Sequence, residues 1–493
     1  MLGLAVIAMR LPSLWEPRWY SDEGTFTTVA WLHTQGVALY TGAFDTSPPG
    51  IYWLYEVLLR AGADQHHAAV QIALLIAVVA AALCVYSLTR KWFGASVAIA
   101  AALLCAAGLS LPTLDGDLLN VEIAALPLFL GALVAALRED VRWAVVAGVL
   151  TAIALLIRPS YALDGLAVLF VLLSRRDALR TLTLAIAGGA LALGAAALAL
   201  AVDHSMAAYL GEVSLVQRAY LFAANGGSLV PLMVRAIILG GLATVWFVRA
   251  RGPWRVLAVW LPASIVGASL TPRELSHYAM EAIPPMAITI AAVCASALRV
   301  KAIQTRSLRP AASLVAAPLA LAALVGAAEA VLILPAQETA LLRATSAPPP
   351  FLHNFAYADL PAYYGRWLSW VIRHSLTTQD LSGFPGPIRE EADEAHILEQ
   401  GRTNSRTTVL VLGDRAWVYF LGRLQPASRF VALNSAFRLD PRGRAEVAAT
   451  LDNRRAGIVV LADAPPGDWR ERLQQNGYRL VASSPWPTFA APE

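Results

Sequence analysis

Apolar stretches fill the chain from Met1 to about Leu334, separated by polar loops, and ordinary soluble patterning follows. The stretches cover 68–89, 95–111, 121–137, 143–157, 161–173, 182–202, 229–248, 256–270, 282–298 and 311–334. With the apolar stretch 1–14 they predict about eleven membrane-spanning helices, several shorter than the ~20 residues a perpendicular helix needs. The first is short for a span, and it lacks the basic start of a cleaved signal peptide. The expected fold is therefore mostly α, a polytopic helical bundle over 1–334.

Between 15 and 67 lies a long loop with two amphipathic stretches, 25–32 and 51–59, read as helices in the interface plane. Ser21 is placed to cap a helix beginning at Asp22. Pro48, Pro49 and Gly50 break the chain between the two stretches. A Pro-rich linker occupies 335–387, with a further interfacial helix expected over 363–372. From 388 to 493 the pattern becomes soluble α/β. Strands are expected at 407–412, 430–433, 458–462 and 479–482, and helices at 388–400, 444–453 and 468–476. That alternation predicts a small, largely parallel sheet.

Charge fixes an orientation. Loops carrying Arg90 and Lys91, Arg138 and Arg142, Arg175, Arg176 and Arg180, Arg249, Arg251 and Arg255, and Arg299 to Arg309 alternate with loops poor in basic residues. The positive-inside rule puts the basic set in the cytoplasm. The loop 15–67, the loops around Asp117, Arg158, His204 and His277, and the soluble part 388–493 then lie outside a cell membrane. Composition agrees: 57% of residues are hydrophobic and 15% charged, where soluble proteins carry roughly 25%. The formal charge of +4 is scattered, which argues against a nucleic-acid partner and leaves the bilayer as the implied surface. Cys84, Cys105 and Cys294 sit in apolar runs without metal-ligand spacing and read as small core residues.

The chemistry-bearing residues gather on the outer side. Asp22 and Glu23 are adjacent carboxylates suited to general-base work or ligand binding, and equally to a solvated helix start where acids favour the dipole. Asp45 suits a site or a turn. Asp115, Asp117, Asn120 and Glu122 fill one short loop, and Glu122 at a helix mouth needs water or a partner. Arg158, before Pro159, is an outer Arg whose planar fork suits a phosphate, or which snorkels to ordinary headgroups. Arg273, Glu274, His277 and Tyr278 occupy another outer loop; His66, His67 and His204 are read as surface residues.

Read together, Asp22-Glu23-Gly24, the Gly36 to Tyr40 stretch, Phe44-Asp45 with Pro48-Pro49-Gly50, Asp117 to Glu122, Arg158-Pro159 and His277-Tyr278 with Pro284 resemble the polytopic C-type glycosyltransferases. The bacterial enzymes akin to family 39, the protein mannosyltransferases and lipid A aminoarabinose transferases, share this pattern. The resemblance implies a polyprenyl-phosphate sugar donor and a glycan, lipid or protein acceptor. It implies attack by an acceptor hydroxyl on the anomeric carbon, with Asp22 as base and Glu23 beside it. Asp45, Asp117, Glu122, His277 and Tyr278 would shape the substrate site, and Arg158 would hold the lipid phosphate. Some relatives use a divalent metal; no cofactor is otherwise expected. The competing readings are a transporter or flippase of lipid-linked saccharides, and a scaffold presenting the soluble part. A transporter should show broken helices in corresponding halves, and few polar residues fall at mid-span here.

Overall fold

The computed structural model describes residues 2–15, 18, 20–111, 114–224, 227–270, 276–302, 386–401, 407–433, 441–462, 469–483 and 485–492. The fold is mostly α, with a small C-terminal sheet. The chain divides into two compact units. The first comprises 1–15, 70–196 and 222–374, and the second 16–69, 197–221 and 375–493.

In the first unit the helices follow the apolar runs closely. They are α1 (Leu2–Arg10), α4 (Ala68–Phe93, beginning in the second unit), α5 (Ala95–Gly108), α6 (Val121–Ala136), α7 (Trp143–Ile157), α8 (Tyr161–Leu173), α9 (Ala178–Val202, ending in the second unit), α12 (Val230–Arg249), α13 (Pro253–Ala268) and α14 (Ile283–Ala302). Four segments among the described residues, Ala68–Phe93, Ala178–Val202, Val230–Arg249 and His277–Ser296, are long and apolar enough to cross a bilayer. Five shorter apolar helices accompany them. The run expected at 311–334 lies outside the described residues.

Local chemistry sets the helix ends. Asn120 caps α6 by accepting from the Ile123 N–H at 3.0 Å. Helix α7 stops at Arg158, whose extended backbone (φ −144°, ψ 108°) is what a following proline demands. Small residues bring α7 and α9 together. A Cβ on Gly148 would lie 1.8 Å from the Ala185 carbonyl oxygen, and one on Gly188 2.3 Å from that of Val145. Backbone therefore meets backbone at that crossing, the way small residues let membrane helices approach.

The second unit contains α2 (Ser21–Thr34), α3 (Pro49–Leu58), α10 (Met206–Ala208) and α11 (Ser214–Ala224, ending in the first unit); the last two are helical where the apolar pattern predicts no span. Ser21 is not the cap of α2. The helix already includes it, the capping position is Tyr20, and no side chain caps it. The helix ends at Gly36, whose φ of +84° is the left-handed stop that glycine adopts without cost. Pro49 starts α3, where a missing N–H is harmless.

The C-terminal part of this unit holds α15 (Gly386–Gly401), β1 (Thr408–Val411), α16 (Trp417–Leu421), β2 (Gln425–Pro426), α17 (Pro441–Asp452), β3 (Ile458–Val460), α18 (Trp469–Gln475), β4 (Arg479–Ala482) and β5 (Thr488–Ala490). The strand order is β2-β1-β3-β5-β4. β1 pairs in parallel with β2 and β3, whereas β5 runs antiparallel to β3 and β4. The sheet is thus mixed, because Thr488–Ala490 returns as a strand that the sequence reading missed. The strand expected at 430–433 is not one; only Phe430 makes an isolated bridge, to Phe44. The interfacial helix expected at 363–372 and most of the linker 335–387 fall outside the described residues.

Candidate active site

In the second unit the Asp-Glu pair divides its labour. Glu23 is 1% exposed, and its Oε1 lies 2.5 Å from Nε2 of His67, also buried. Successive helical residues point about 100° apart, so Asp22 faces elsewhere: it is half-buried, and its Oδ2 accepts from the Tyr20 hydroxyl at 3.3 Å. Of the pair, Asp22 is the more exposed residue. His67 is no surface residue, contrary to the sequence reading, whereas His66 and His204 are exposed.

Asp45 is 7% exposed and accepts from the Tyr52 hydroxyl at 2.5 Å and the Ser47 N–H at 3.3 Å. Tyr40, at φ +61°, donates its hydroxyl to the Ser47 carbonyl at 2.9 Å. Burial pushes the hydroxyls of Tyr40, Tyr52 and Tyr55 well above the usual phenol range, with the carboxylates nearby adding to it: Asp45 and Asp203 beside Tyr40, Asp45 beside Tyr52, Glu23 and Asp22 beside Tyr55. All three remain neutral phenols. Asp203 in turn accepts from the Leu39 N–H at 2.9 Å and lies 3.5 Å from His33.

In the first unit, charges from four segments converge. Arg158, at the end of α7, places Nη1 2.5 Å from Glu122 Oε1 and donates through Nε to Glu281. Its guanidinium lies over the Tyr278 ring at 4.9 Å. Ser160 donates to the same Glu281 oxygen. His277 Nδ1 is 2.8 Å from Asp115 Oδ2, and its Nε2 is 3.9 Å from Glu122. Asp117 is buried in the same loop. That loop is pinned from α1, where buried Arg10 donates to the carbonyls of Leu109 and Gly116. Residue 116 must be glycine for space, since a Cβ would sit 2.6 Å from the Leu109 oxygen.

The expected residues Glu122, Arg158, His277 and Tyr278 thus meet, and Asp115 joins them through His277. Arg158 differs from expectation in one respect. Two carboxylates already engage Nε and Nη1, so a bidentate phosphate would have to share or displace one of them. Glu281 and Asp164 were missed. Both are fully buried, Asp164 accepting from Trp260 Nε1 at 2.9 Å and from Ser264. The signal was there for Asp164, inside the apolar run 161–173, and for Glu281, at the edge of the run 282–298: a carboxylate in such a place is by default a functional candidate.

A family model described as dolichyl-phosphate-mannose-protein mannosyltransferase matches residues 46–202. The chain also superposes on ArnT from Cupriavidus metallidurans bound to undecaprenyl phosphate, with a TM-score of 0.56 at 17% identity, covering 99% of this chain and 98% of that one. The apo state of the same protein gives a TM-score of 0.54 at 13% identity, with coverage of 99% and 98%. Oligosaccharyltransferase AglB from Archaeoglobus fulgidus gives 0.43 at 13% identity, covering 100% and 73%. No curated protein matches by sequence. The chain shares the fold of that ArnT, and residues 46–202 match the mannosyltransferase family model. The family match takes in Asp115, Asp117, Glu122 and Arg158, while the Asp22-Glu23 pair precedes it and His277 follows it.

Proposed function

We propose that this protein transfers a monosaccharide from a polyprenyl-phosphate carrier to a glycan, lipid or protein acceptor on the outer face of a cell membrane. The observation that carries the reading is the division within the acidic pair. Glu23 is committed to His67, and Asp22 is left half-exposed at the first turn of α2. Asp22 takes the proton of the acceptor hydroxyl as its oxygen attacks the anomeric carbon. The bond from the anomeric carbon to the phosphate oxygen breaks as the new glycosidic bond forms, and polyprenyl phosphate leaves. Arg158 stabilises the charge that gathers on the departing lipid phosphate, and His277 stands beside its partner Glu122 to tune that charge. The match to a mannosyltransferase family and the fold shared with a protein that binds undecaprenyl phosphate support this reading. Among the described residues no group of three or more His, Cys, Asp or Glu side chains is placed to hold a metal ion.

The test is transfer in proteoliposomes from synthetic polyprenyl-phosphate sugars to a panel of acceptors, with a chelator arm that reads metal dependence. Sugar-linked product with release of polyprenyl phosphate is expected. Movement of the intact donor between leaflets without transfer would favour a flippase instead.

Orientation has its own prediction, from the basic loops. In a background lacking Cys84, Cys105 and Cys294, a cysteine replacing exposed Asn453 should react with a membrane-impermeant maleimide in intact cells. Reaction only after permeabilisation would reverse the topology and with it the outer-face assignment.

A further inference from the structure

Gly24, the glycine beside the acidic pair, lies inside α2, so its backbone does not require glycine. Its surroundings do. A Cβ on Gly24 would lie 2.7 Å from Cδ1, 2.8 Å from Nε1 and 2.9 Å from Cγ of Trp417. Trp417 belongs to α16, in the sheet-bearing C-terminal part of the same unit, and is 2% exposed. Its indole N–H donates to the Tyr20 carbonyl at 2.9 Å. The same oxygen accepts the Gly24 N–H, also at 2.9 Å, which is the bond that opens α2. Trp417 thus takes the second lone pair at the helix start and fills the space where a side chain at 24 would stand.

The grip extends along both acidic motifs. One turn further, Thr28 Oγ1 donates to the Ala416 carbonyl at 2.8 Å, and Trp31 meets Phe420 edge-on at 6.1 Å. Arg423 lies 4.7 Å from the Phe420 ring centre and donates to Asp64 at 3.1 Å. On the other motif, the Phe44 N–H donates to the Arg429 carbonyl at 2.7 Å. Arg429 itself reaches the Tyr40 carbonyl at 3.2 Å and Glu212 at 2.6 Å. The backbone on either side of Asp22, and that immediately before Asp45, is therefore held by residues 416–430.

We propose that this C-terminal segment is part of the catalytic apparatus, and that Trp417 is a positioning residue which fixes the first turn of α2 and through it the direction of the Asp22 carboxylate. The proposal rests on Asp22 being the base. Ordinary packing of one segment on another would also bury a tryptophan, but it would not need an indole N–H on the helix-opening carbonyl or a glycine next to the acids.

The experiment is a double-mutant cycle of Gly24→Ala and Trp417→Ala in the full-length protein in proteoliposomes, with kcat and donor KM measured separately. Gly24→Ala should lower kcat on the order of 10²-fold, as displacement of a catalytic group by about 1 Å does, with donor KM held within about twofold. In the double variant the added methyl has room, so kcat should be no lower than in Trp417→Ala alone. Trp417→Phe keeps a ring and loses the N–H, and should cost about fivefold in kcat, the worth of one hydrogen bond. It also tests the proposal should Gly24→Ala fail to fold. Losses that multiply in the double variant, or a lowered Tm with kcat untouched in the Trp417 variants, would overturn it. Full turnover in Asp22→Asn would remove the base reading and this role for Trp417 together. An inactive Asp22→Asn with multiplying losses would overturn the Trp417 inference alone.

Discussion

Replacing Asp22 by Asn should lower kcat for sugar transfer by about 10²–10⁴-fold while donor KM stays close to that of the native protein. The amide keeps the size of the carboxyl group and can still accept from the Tyr20 hydroxyl, which lies 3.3 Å from Oδ2. It cannot take a proton from the acceptor. The neighbouring Glu23 does not substitute, because its Oε1 is held 2.5 Å from His67 in a buried pair. Glu23→Gln should therefore behave differently, acting on the stability of the loop 15–67 as well as on rate, since it replaces one member of a buried pair. Product formed at near-native rates by Asp22→Asn would move the base role to another group, Asp45 first among them.

The second large effect is expected at Arg158. Its guanidinium is 13% exposed and faces two buried carboxylates, Glu122 and Glu281. Removing the cation leaves both without their counter-charge. Arg158→Met should cost about 3–5 kcal/mol of stability, the usual consequence of breaking a buried ion pair from one side. Adding Glu122→Gln and Glu281→Gln should recover most of that loss without restoring transfer. Thermal or denaturant unfolding in detergent measures the first effect, and the transfer assay the second. Arg158→Lys separates charge from shape. Lysine presents one point charge where arginine presents a planar fork, so it cannot serve both carboxylates and a phosphate together. The variant should fold and insert, yet bind a polyprenyl-phosphate sugar more weakly or turn it over more slowly. Native donor affinity and turnover in Arg158→Lys would sink the phosphate role and leave Arg158 as a structural cation.

The membrane part was readable because lipid imposes a coarse rule. Apolar runs at 143–157 and 161–173 became helices with those same ends, since Pro159 and the polar loops leave the chain little choice. Lipid-facing patterning carries no such rule for the segment 206–224, which the unit uses as helix. In the soluble part, the antiparallel return of Thr488–Ala490 depends on partners 28 to 32 residues earlier in β3, beyond the reach of local pattern. The candidate residues were legible as types in the loops between apolar runs and illegible as pairs. Asp22 and Glu23 are adjacent letters, and only the buried His67 tells them apart. Arg158 promised a phosphate; its two carboxylates come from α6 and from the segment before α14, over a hundred residues away in the second case. Asp164 and Glu281 were passed over because each stands alone among apolar neighbours, which is the context that should have drawn notice.

The crossing of α7 and α9 has a mechanical consequence. Where Gly148 faces the Ala185 carbonyl and Gly188 faces that of Val145, no side chain lies between the two backbones to change rotamer or tilt. Leucine-lined contacts yield a little under load; two peptide chains in direct contact do not. Sliding one helix along the other would drive a carbonyl into a Cα, so the pair must move as a single beam. Arg158 sits one residue beyond the end of that beam. The guanidinium is thus carried on a stiff mount, and any movement of the loops around it must come from other parts of the molecule.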